Sequence, residues 1–426
     1  MKRQAYILSI LITITTSCLS QNSDKFIFNC YKGKYLKAYR YLSEEVKPII
    51  KPKDIRDVFR QLEGINGQFK SYSFNCEKET SYGLTTYFTM SFEKMDIDIK
   101  IVLNESDRIR GFFVVPIHIC KKINRYSPPN SKGVIQKKIS IFSPEKKDSI
   151  SVFFTQPQNA PYSKIVLFVP GSGPVDENST IGQTKLFLDL SIELARQGIA
   201  SVRFKKFQNL NCAPNQITFH DEYLVDISTI LNFLNKELSS KRKYILGHSL
   251  GGLAISHYLD DFDGGIYLSC NLSPLDSLII SQTKYIFNLD STNSKTKKNY
   301  LRKLQAEQSI IRNTSSNIPD TSILLGAPLV YWKSLNKLNS NVLISNSINT
   351  PKLFLMGGRD YQVPIHDFRK FGDLVEGHSF CKFITFSNLN HVFIHGKGTP
   401  SPQEYETPGN VSVQVVDAII EFLESY

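Results

Sequence analysis

With 426 residues, 41% of them hydrophobic and 21% charged, the chain has the composition of a globular protein and the length for one large domain and a smaller one. Its net charge of +12 is scattered. No stretch interleaves basic residues with aromatics in the manner of a nucleic-acid surface, so the basic surplus reads as solubility or attraction to acidic surfaces, and no nucleic-acid partner is expected.

Residues Met1 to Ser20 have the order of a secretory signal: basic Lys2 and Arg3, an apolar core from Ala5 to Ile14, then small residues ending Cys18-Leu19-Ser20 before Gln21. The core is too short to span a membrane. Cleavage after Ser20 is expected, which makes the protein periplasmic or secreted. A lipid anchor on Cys18 is the alternative, although Thr15 stands where a lipobox has leucine; membrane attachment is expected only in that case. Six cysteines then remain: Cys30, Cys76, Cys120, Cys212, Cys270 and Cys381. They show neither Cys-x-x-Cys spacing nor a histidine partner, so no metal or other cofactor is expected; disulfides and scattered buried thiols both stay open.

Phe26 to about Ile65 has helical periodicity, with Phe28, Tyr31, Tyr35, Ala38 and Leu42 on one face and Ile55, Val58, Phe59 and Leu62 after Pro52. After Gly64 the period becomes two. Met95, Ile97, Ile99, Ile101 and Leu103 predict a half-buried antiparallel strand, with Thr86–Phe92 and Ile109–Val115 as neighbours and a turn at 104–107. Residues 26–118 are therefore expected to be a small α+β accessory domain without clustered catalytic residue types. A linker at 119–136, containing Ser127-Pro128-Pro129-Asn130-Ser131, leads to a larger domain at 137–426.

In that larger domain short apolar strands alternate with amphipathic helices, the pattern of a mostly parallel sheet covered on both faces. Strands are predicted at Lys138–Phe142, Ser151–Thr155, Lys164–Val169, Ala200–Phe204, Lys243–Leu246, Gly265–Ser269, Lys352–Met356 and Lys382–Phe386, the first two forming an antiparallel edge. Helices are predicted at Lys185–Gln197, His220–Leu238, Gly251–Tyr258, His366–Val375 and Val411–Leu423. An insertion at about 272–349 interrupts the alternation and is read as a helical lid. Its Tyr331 and Trp332 are candidates for an acyl-binding wall, with packing inside the lid as the other reading; the run Lys295, Lys297, Lys298, Arg302 and Lys303 reads as a solvated face.

The stretch Gly247-His248-Ser249-Leu250-Gly251 sits between a strand and a helix, the setting of a nucleophile elbow in which a strained turn lifts a serine hydroxyl above the sheet edge. A serine hydroxyl needs a base, and the base needs a carboxylate to fix its tautomer. Candidates occur in the chain order of this architecture: Asp360 in Gly357-Gly358-Arg359-Asp360 after the penultimate strand, and His391 in Asn388-Leu389-Asn390-His391 after the last. Asp367 and His395 are the runners-up. For an oxyanion the expected donors are the N–H of Leu250 and that of Ser172 in Pro170-Gly171-Ser172-Gly173-Pro174, with Gly173 second and also a candidate substrate contact. Asp176 reads as a loop-shaping carboxylate.

On these residues, with Glu404-Tyr405 downstream, the chain from about Lys138 to Tyr426 resembles an α/β-hydrolase. More narrowly it resembles the exported dienelactone-hydrolase-like and serine-aminopeptidase-like branch, whose members often carry a small domain in front. The resemblance implies hydrolysis of a small-molecule carboxylic ester, acyl or aryl, through an acyl-enzyme and without a metal. Peptide or amide cleavage by the same machinery, and a non-catalytic envelope binding protein on this scaffold, are the alternatives. One motif departs: where such proteins read Arg-Tyr-Asp-Lys-Arg-Gly-x-Gly, this chain has Arg203-Phe204-Lys205-Lys206-Phe207-Gln208 and no glycine turn.

Overall fold

The computed structural model describes residues 21–80, 83–104, 106–115, 126–289, 294–313 and 317–426. The expected signal segment, Cys18 and Cys120 lie outside them. The chain divides into two compact units, Met1–Ile123 and Asn124–Tyr426.

The first unit carries helices α1 (Gln21–Tyr31), α2 (Tyr35–Tyr39) and α3 (Pro52–Asn66), then strands β1 (Phe69–Thr80), β2 (Gly83–Phe92), β3 (Asp96–Leu103) and β4 (Ile109–Val115) in an antiparallel meander. Pro52 opens α3, where its missing N–H costs nothing. Ile97, Ile99, Ile101 and Leu103 are buried and pack with Phe26, Ile27, Ile55 and Phe59. Three expectations are corrected. β3 is not half-buried, since Asp98 and Val102 on its other face are buried too. Phe28 is 44% exposed, because α1 turns Phe26, Ile27 and Cys30 inward instead; and Met95 is exposed just ahead of β3. Cys76 is disulfide-bonded, whereas Cys30, Cys212, Cys270 and Cys381 are free.

In the second unit the chain runs β5 (Val134–Ser143), β6 (Asp148–Pro157), β7 (Lys164–Val169), the short hairpin β8 (Thr180–Ile181) and β9 (Thr184–Lys185), α4 (Leu186–Arg196) and β10 (Ala200–Phe204). It continues through α5 (Val225–Glu237), β11 (Arg242–His248), α6 (Gly251–Ile255) and β12 (Gly264–Leu268). The insertion holds α7 (Leu275–Leu289), α8 (Ser294–Arg312), the hairpin β13 (Ile323–Leu324) and β14 (Ala327–Pro328), α9 (Leu329–Asn336) and α10 (Ser340–Asn346). Last come β15 (Lys352–Gly357), α11 (Ile365–Leu374), β16 (Cys381–Phe386) and α12 (Val413–Ser425).

Among the described residues, eight of these strands form one sheet in the order β16-β15-β12-β11-β7-β10-β6-β5. The β5–β6 and β6–β10 pairs are antiparallel and the others parallel. Strands buried on both faces read as continuous apolar runs, which is why Ile165-Val166-Leu167-Phe168-Val169 at the centre of the sheet is fully buried. One face packs on α5, α6, α11 and the insertion, the other on α4 and α12. The order reverses where β10 follows β7 on one side and β11 returns to its other side. In parallel sheets, loops beyond the carboxyl ends of strands at such a crossing form the ligand crevice, and the loops after β7 and β11 lie there.

Candidate active site

Ser249 follows β11 directly and has φ +53, the left-handed region that a non-glycine residue occupies only under strain. Its neighbours make that turn possible. A Cβ on Gly247 would lie 2.6 Å from the Gly251 carbonyl oxygen, and one on Gly251 would lie 2.5 Å from that of Val169. A Cβ on Gly252 would collide with the Cys270 sulfur. The turn is pinned by the Ser249 N–H, which donates to Leu268 O at 2.9 Å, and α6 begins two residues later. α6 ends at Ile255 rather than at the expected Tyr258.

Asp360 lies three residues beyond the end of β15. Its Oδ1 accepts the backbone N–H groups of Gln362 (2.8 Å) and Val363 (2.9 Å), so the carboxylate cannot swing, and Oδ2 meets His391 Nδ1 at 2.6 Å. Both side chains are buried. A buried carboxylate on Nδ1 fixes the ring with its Nε2 free to serve as base.

His391 is held beside the elbow by the residue ahead of the serine. The His248 ring lies 4.6 Å from the His391 ring, and its Nε2 is 3.1 Å from His391 O. Burial, then the proximity of His391, hold His248 well below the ordinary histidine range, so it is a neutral strut. The loop bearing His391 is tied internally, with Asn390 Oδ1 accepting from the N–H groups of Val392 and Ile394, both at 3.2 Å. It is tied externally by Glu404, which pairs with Arg359 and accepts from Asn390 Nδ2 at 3.3 Å. One acid thus clamps the residue preceding Asp360 to the residue preceding His391.

The runners-up are elsewhere. His395 is exposed, and Asp367 is buried under the start of the insertion, accepting from the N–H groups of Leu272 (3.1 Å) and Ser273 (2.9 Å). Asp176 accepts from Thr180 N and Oγ1 (2.8 and 2.7 Å), which shapes its own loop.

Ser249 opens into a cavity of about 340 Å³. Ser172 and Gly173 line it, as do Leu278 and Ile279 of α7, and Tyr331 and Trp332 of α9. The two aromatic readings both hold for Trp332: it is 1% exposed, donates from Nε1 to Leu324 O at 2.7 Å, and still contributes to the wall. The insertion is anchored to the acid's loop, since Tyr285 stacks on Tyr361 at 5.2 Å and Gln282 donates to Gln362 O at 2.8 Å. Lys295, Lys298, Arg302 and Lys303 are exposed and Lys297 half-buried. Leu250 is fully buried beneath the elbow, and its backbone begins the turn into α6.

Sequence reasoning missed His248, which occupies a variable position of the elbow motif, and a buried group formed by Lys206, Glu222 and Tyr223. Lys206 contacts residues 16 and 17 positions away, a pairing with no local periodicity. The missing glycine turn has a substitute. Phe207 (φ +59) and Asn209 (φ +48) take the left-handed backbone themselves, and Phe207 borders the cavity.

Residues 23–112 match a family described as a protein of unknown function (DUF3887). The whole chain is similar to esterase EstD of Thermotoga maritima, 25% identical over 429 residues that cover 99% of this chain and all of that one. Among solved structures, Est1E of Butyrivibrio proteoclasticus aligns with TM-score 0.45 at 16% identity, over 68% of this chain and 98% of that one. An esterase of Pyrococcus furiosus, Pf2001, aligns with TM-score 0.45 at 14% identity, over 71% and 99%. The strand order, the strained serine after the fifth strand of the sheet, and an acid and a histidine after the last two lead to one assignment: the second unit has the α/β-hydrolase fold.

Proposed function

We propose that the protein is an exported serine hydrolase that cleaves carboxylic esters, acyl or aryl, through an acyl-enzyme. The observation that carries the reading is the buried Asp360–His391 pair at 2.6 Å, brought by His248 beside a serine that opens into an apolar cavity. Similarity to a protein named as an esterase supports it.

In this reading His391 takes the Ser249 proton through Nε2 as Oγ attacks the ester carbonyl carbon. Asp360 stabilises the imidazolium. The carbonyl oxygen becomes an oxyanion that accepts from the N–H groups of Leu250 and Ser172, donors fixed before the reaction begins. Its collapse expels the alcohol, which receives the proton from His391. Water, deprotonated by the same imidazole, then attacks the acyl-enzyme, and Ser249 leaves as the acid is released. Leu278, Ile279 and Trp332 offer the acyl or aryl group an apolar wall and exclude water.

Export rests on the basic, apolar and small-residue order of residues 1–20. An exported protein whose mature terminus is Gln21 fits a cleaved signal; a diacylglyceryl Cys18 fits the lipid anchor.

The decisive experiment compares the protein with Ser249→Ala on a panel of aryl and short acyl esters and on aminoacyl amides, together with labelling by a fluorophosphonate. Turnover of esters and label on Ser249 are expected, both lost in the variant. Ester turnover that survives in Ser249→Ala would sink the reading, and a preference for the amides would replace the ester by a peptide or amide substrate.

A further inference from the structure

Behind the loop that carries Ser172, buried polar groups converge on one backbone carbonyl. The Lys206 ammonium makes three contacts: it donates to Gly171 O, to Glu222 Oε1 at 2.5 Å and to Tyr223 Oη at 2.9 Å. Tyr223 in turn donates its own proton to Gly171 O at 2.8 Å. Both charged side chains are within 2% of full burial and Tyr223 is wholly buried. Burying an ion pair sacrifices hydration that the pairing barely repays, so the pair is a poor source of stability.

The pair's use lies in the geometry of one peptide unit. The carbonyl of Gly171 and the N–H of Ser172 belong to the same planar trans amide, in which C=O and N–H point in opposite directions. Two donors holding the carbonyl toward the Lys206 side therefore turn the Ser172 N–H toward the other side. Ser172 lines the cavity together with Ser249, and Glu222 also reaches its border. The same amide is pressed against the nucleophile, since a Cβ on Gly171 would stand 3.1 Å from Ser249 Cβ. Gly171 and Gly173 leave this loop few side-chain contacts of its own to hold that orientation.

We propose that Lys206, with Tyr223, is a positioning residue that locks the Gly171–Ser172 peptide plane so that the Ser172 N–H faces the oxyanion. Glu222 supplies the counter-charge that lets an ammonium stand in this buried place. Burial pulls the Lys206 pKa down, and Glu222 opposes that pull. The inference rests on the ester-hydrolysis reading and adds to it the device that orients its second oxyanion donor.

The test uses the full chain with two variants: Lys206→Met combined with Glu222→Gln, which removes both charges together and leaves no unpaired carboxylate, and Tyr223→Phe, which removes one donor from an otherwise isosteric ring. Folding is checked by circular dichroism and thermal melting. Two readouts are compared, kcat and KM for an aryl ester, and Ki for a trifluoromethyl ketone whose hemiketal oxygen occupies the oxyanion position. Loss of a whole donor costs on the order of 100 to 1000-fold in kcat; loss of its orientation is expected to cost about 10 to 100-fold in the double variant and a few-fold in Tyr223→Phe. Ki should rise by the factor by which kcat/KM falls, because both report the stabilised oxyanion, with kcat bearing most of the loss. A general loosening of the fold would not make the two move together. Folded variants with unchanged kcat and Ki, in a protein whose Ser249→Ala form is dead, overturn the lock while leaving the esterase reading intact; should the double variant not fold, Tyr223→Phe alone decides. Ester turnover that persists in Ser249→Ala would instead remove the esterase reading and the lock with it.

Discussion

Asp360 gives its two carboxylate oxygens different tasks, Oδ1 to the N–H groups of Gln362 and Val363 and Oδ2 to His391. Asparagine at this place would keep its oxygen on the two backbone donors and turn its NH₂ toward His391. That group donates, so Nδ1 would have to accept, which puts the ring proton on Nε2 and, in the proposed mechanism, leaves nothing to take the Ser249 proton. Asp360→Asn is thus expected to fold normally and lose about 10⁴-fold in kcat with KM little changed, measured by steady-state kinetics on an aryl ester. Activity within tenfold of the parent would mean that another group orients the base. At this scale the site was legible where chemistry leaves a local signature. Gly247, Gly251 and Gly252 mark a turn at which a side chain has no room, and Asp360 and His391 stand on loops after predicted strands. Lys206, Glu222 and His248 carried no such mark, because their partners are supplied by other loops of the fold.

Elements differ in legibility for a related reason. β7 and β10 were bounded to the residue, since strands buried on both faces must be apolar throughout. β1 was missed: in Phe69–Thr80 the alternation of Tyr72, Phe74 and Cys76 with Ser71, Ser73 and Asn75 is short, and the charged run Glu77-Lys78-Glu79 that follows it hides the rest of the strand. Its strand character comes from pairing with β2 along its length. The insertion was recognisable as an interruption, but which of its aromatics meet the cavity depends on how α7 and α9 pack. These helices supply Leu278, Ile279, Tyr331 and Trp332 to the wall, and the cavity of about 340 Å³ limits what they can cover. Each acyl methylene buried against them is worth ~0.8 kcal/mol, roughly fourfold in kcat/KM. Specificity should therefore climb by several-fold per methylene from acetate and level off when the cavity is full. Ile279→Trp fills part of that space and is expected to move the plateau to shorter chains with acetate turnover retained, read from kcat/KM across a series of p-nitrophenyl esters. An unmoved plateau would mean that the acyl chain runs elsewhere.

Across the whole molecule, stability near neutrality carries a term from an acid far from chemistry. Asp226 on α5 is fully buried against Lys146, 2.5 Å away, and burial pushes its pKa up from 3.8 to about 6, with the Lys146 charge pulling the other way. The folded state therefore holds a proton between pH 3.8 and about 6 that the unfolded chain has already released, so in that window this group's contribution to stability falls as pH rises. Above about pH 6 both states are ionised and the contribution is flat at its least favourable value. Asp226→Asn has no such titration, and Lys146 keeps a second partner in Gln208 O at 2.8 Å. Other groups whose pKa values are displaced, among them Asp189 raised and His248, His257 and Lys206 lowered, are common to both proteins and cancel in the comparison. Relative to the parent, the variant is expected to gain on the order of 1 kcal/mol between pH 5 and pH 7.5, whatever fixed offset the substitution adds at both values. Urea unfolding of the two proteins at these pH values measures that difference directly. A gap that stays constant, or that widens in favour of the parent as pH rises, would show that Asp226 is already ionised at pH 5 and that Lys146 outweighs its burial.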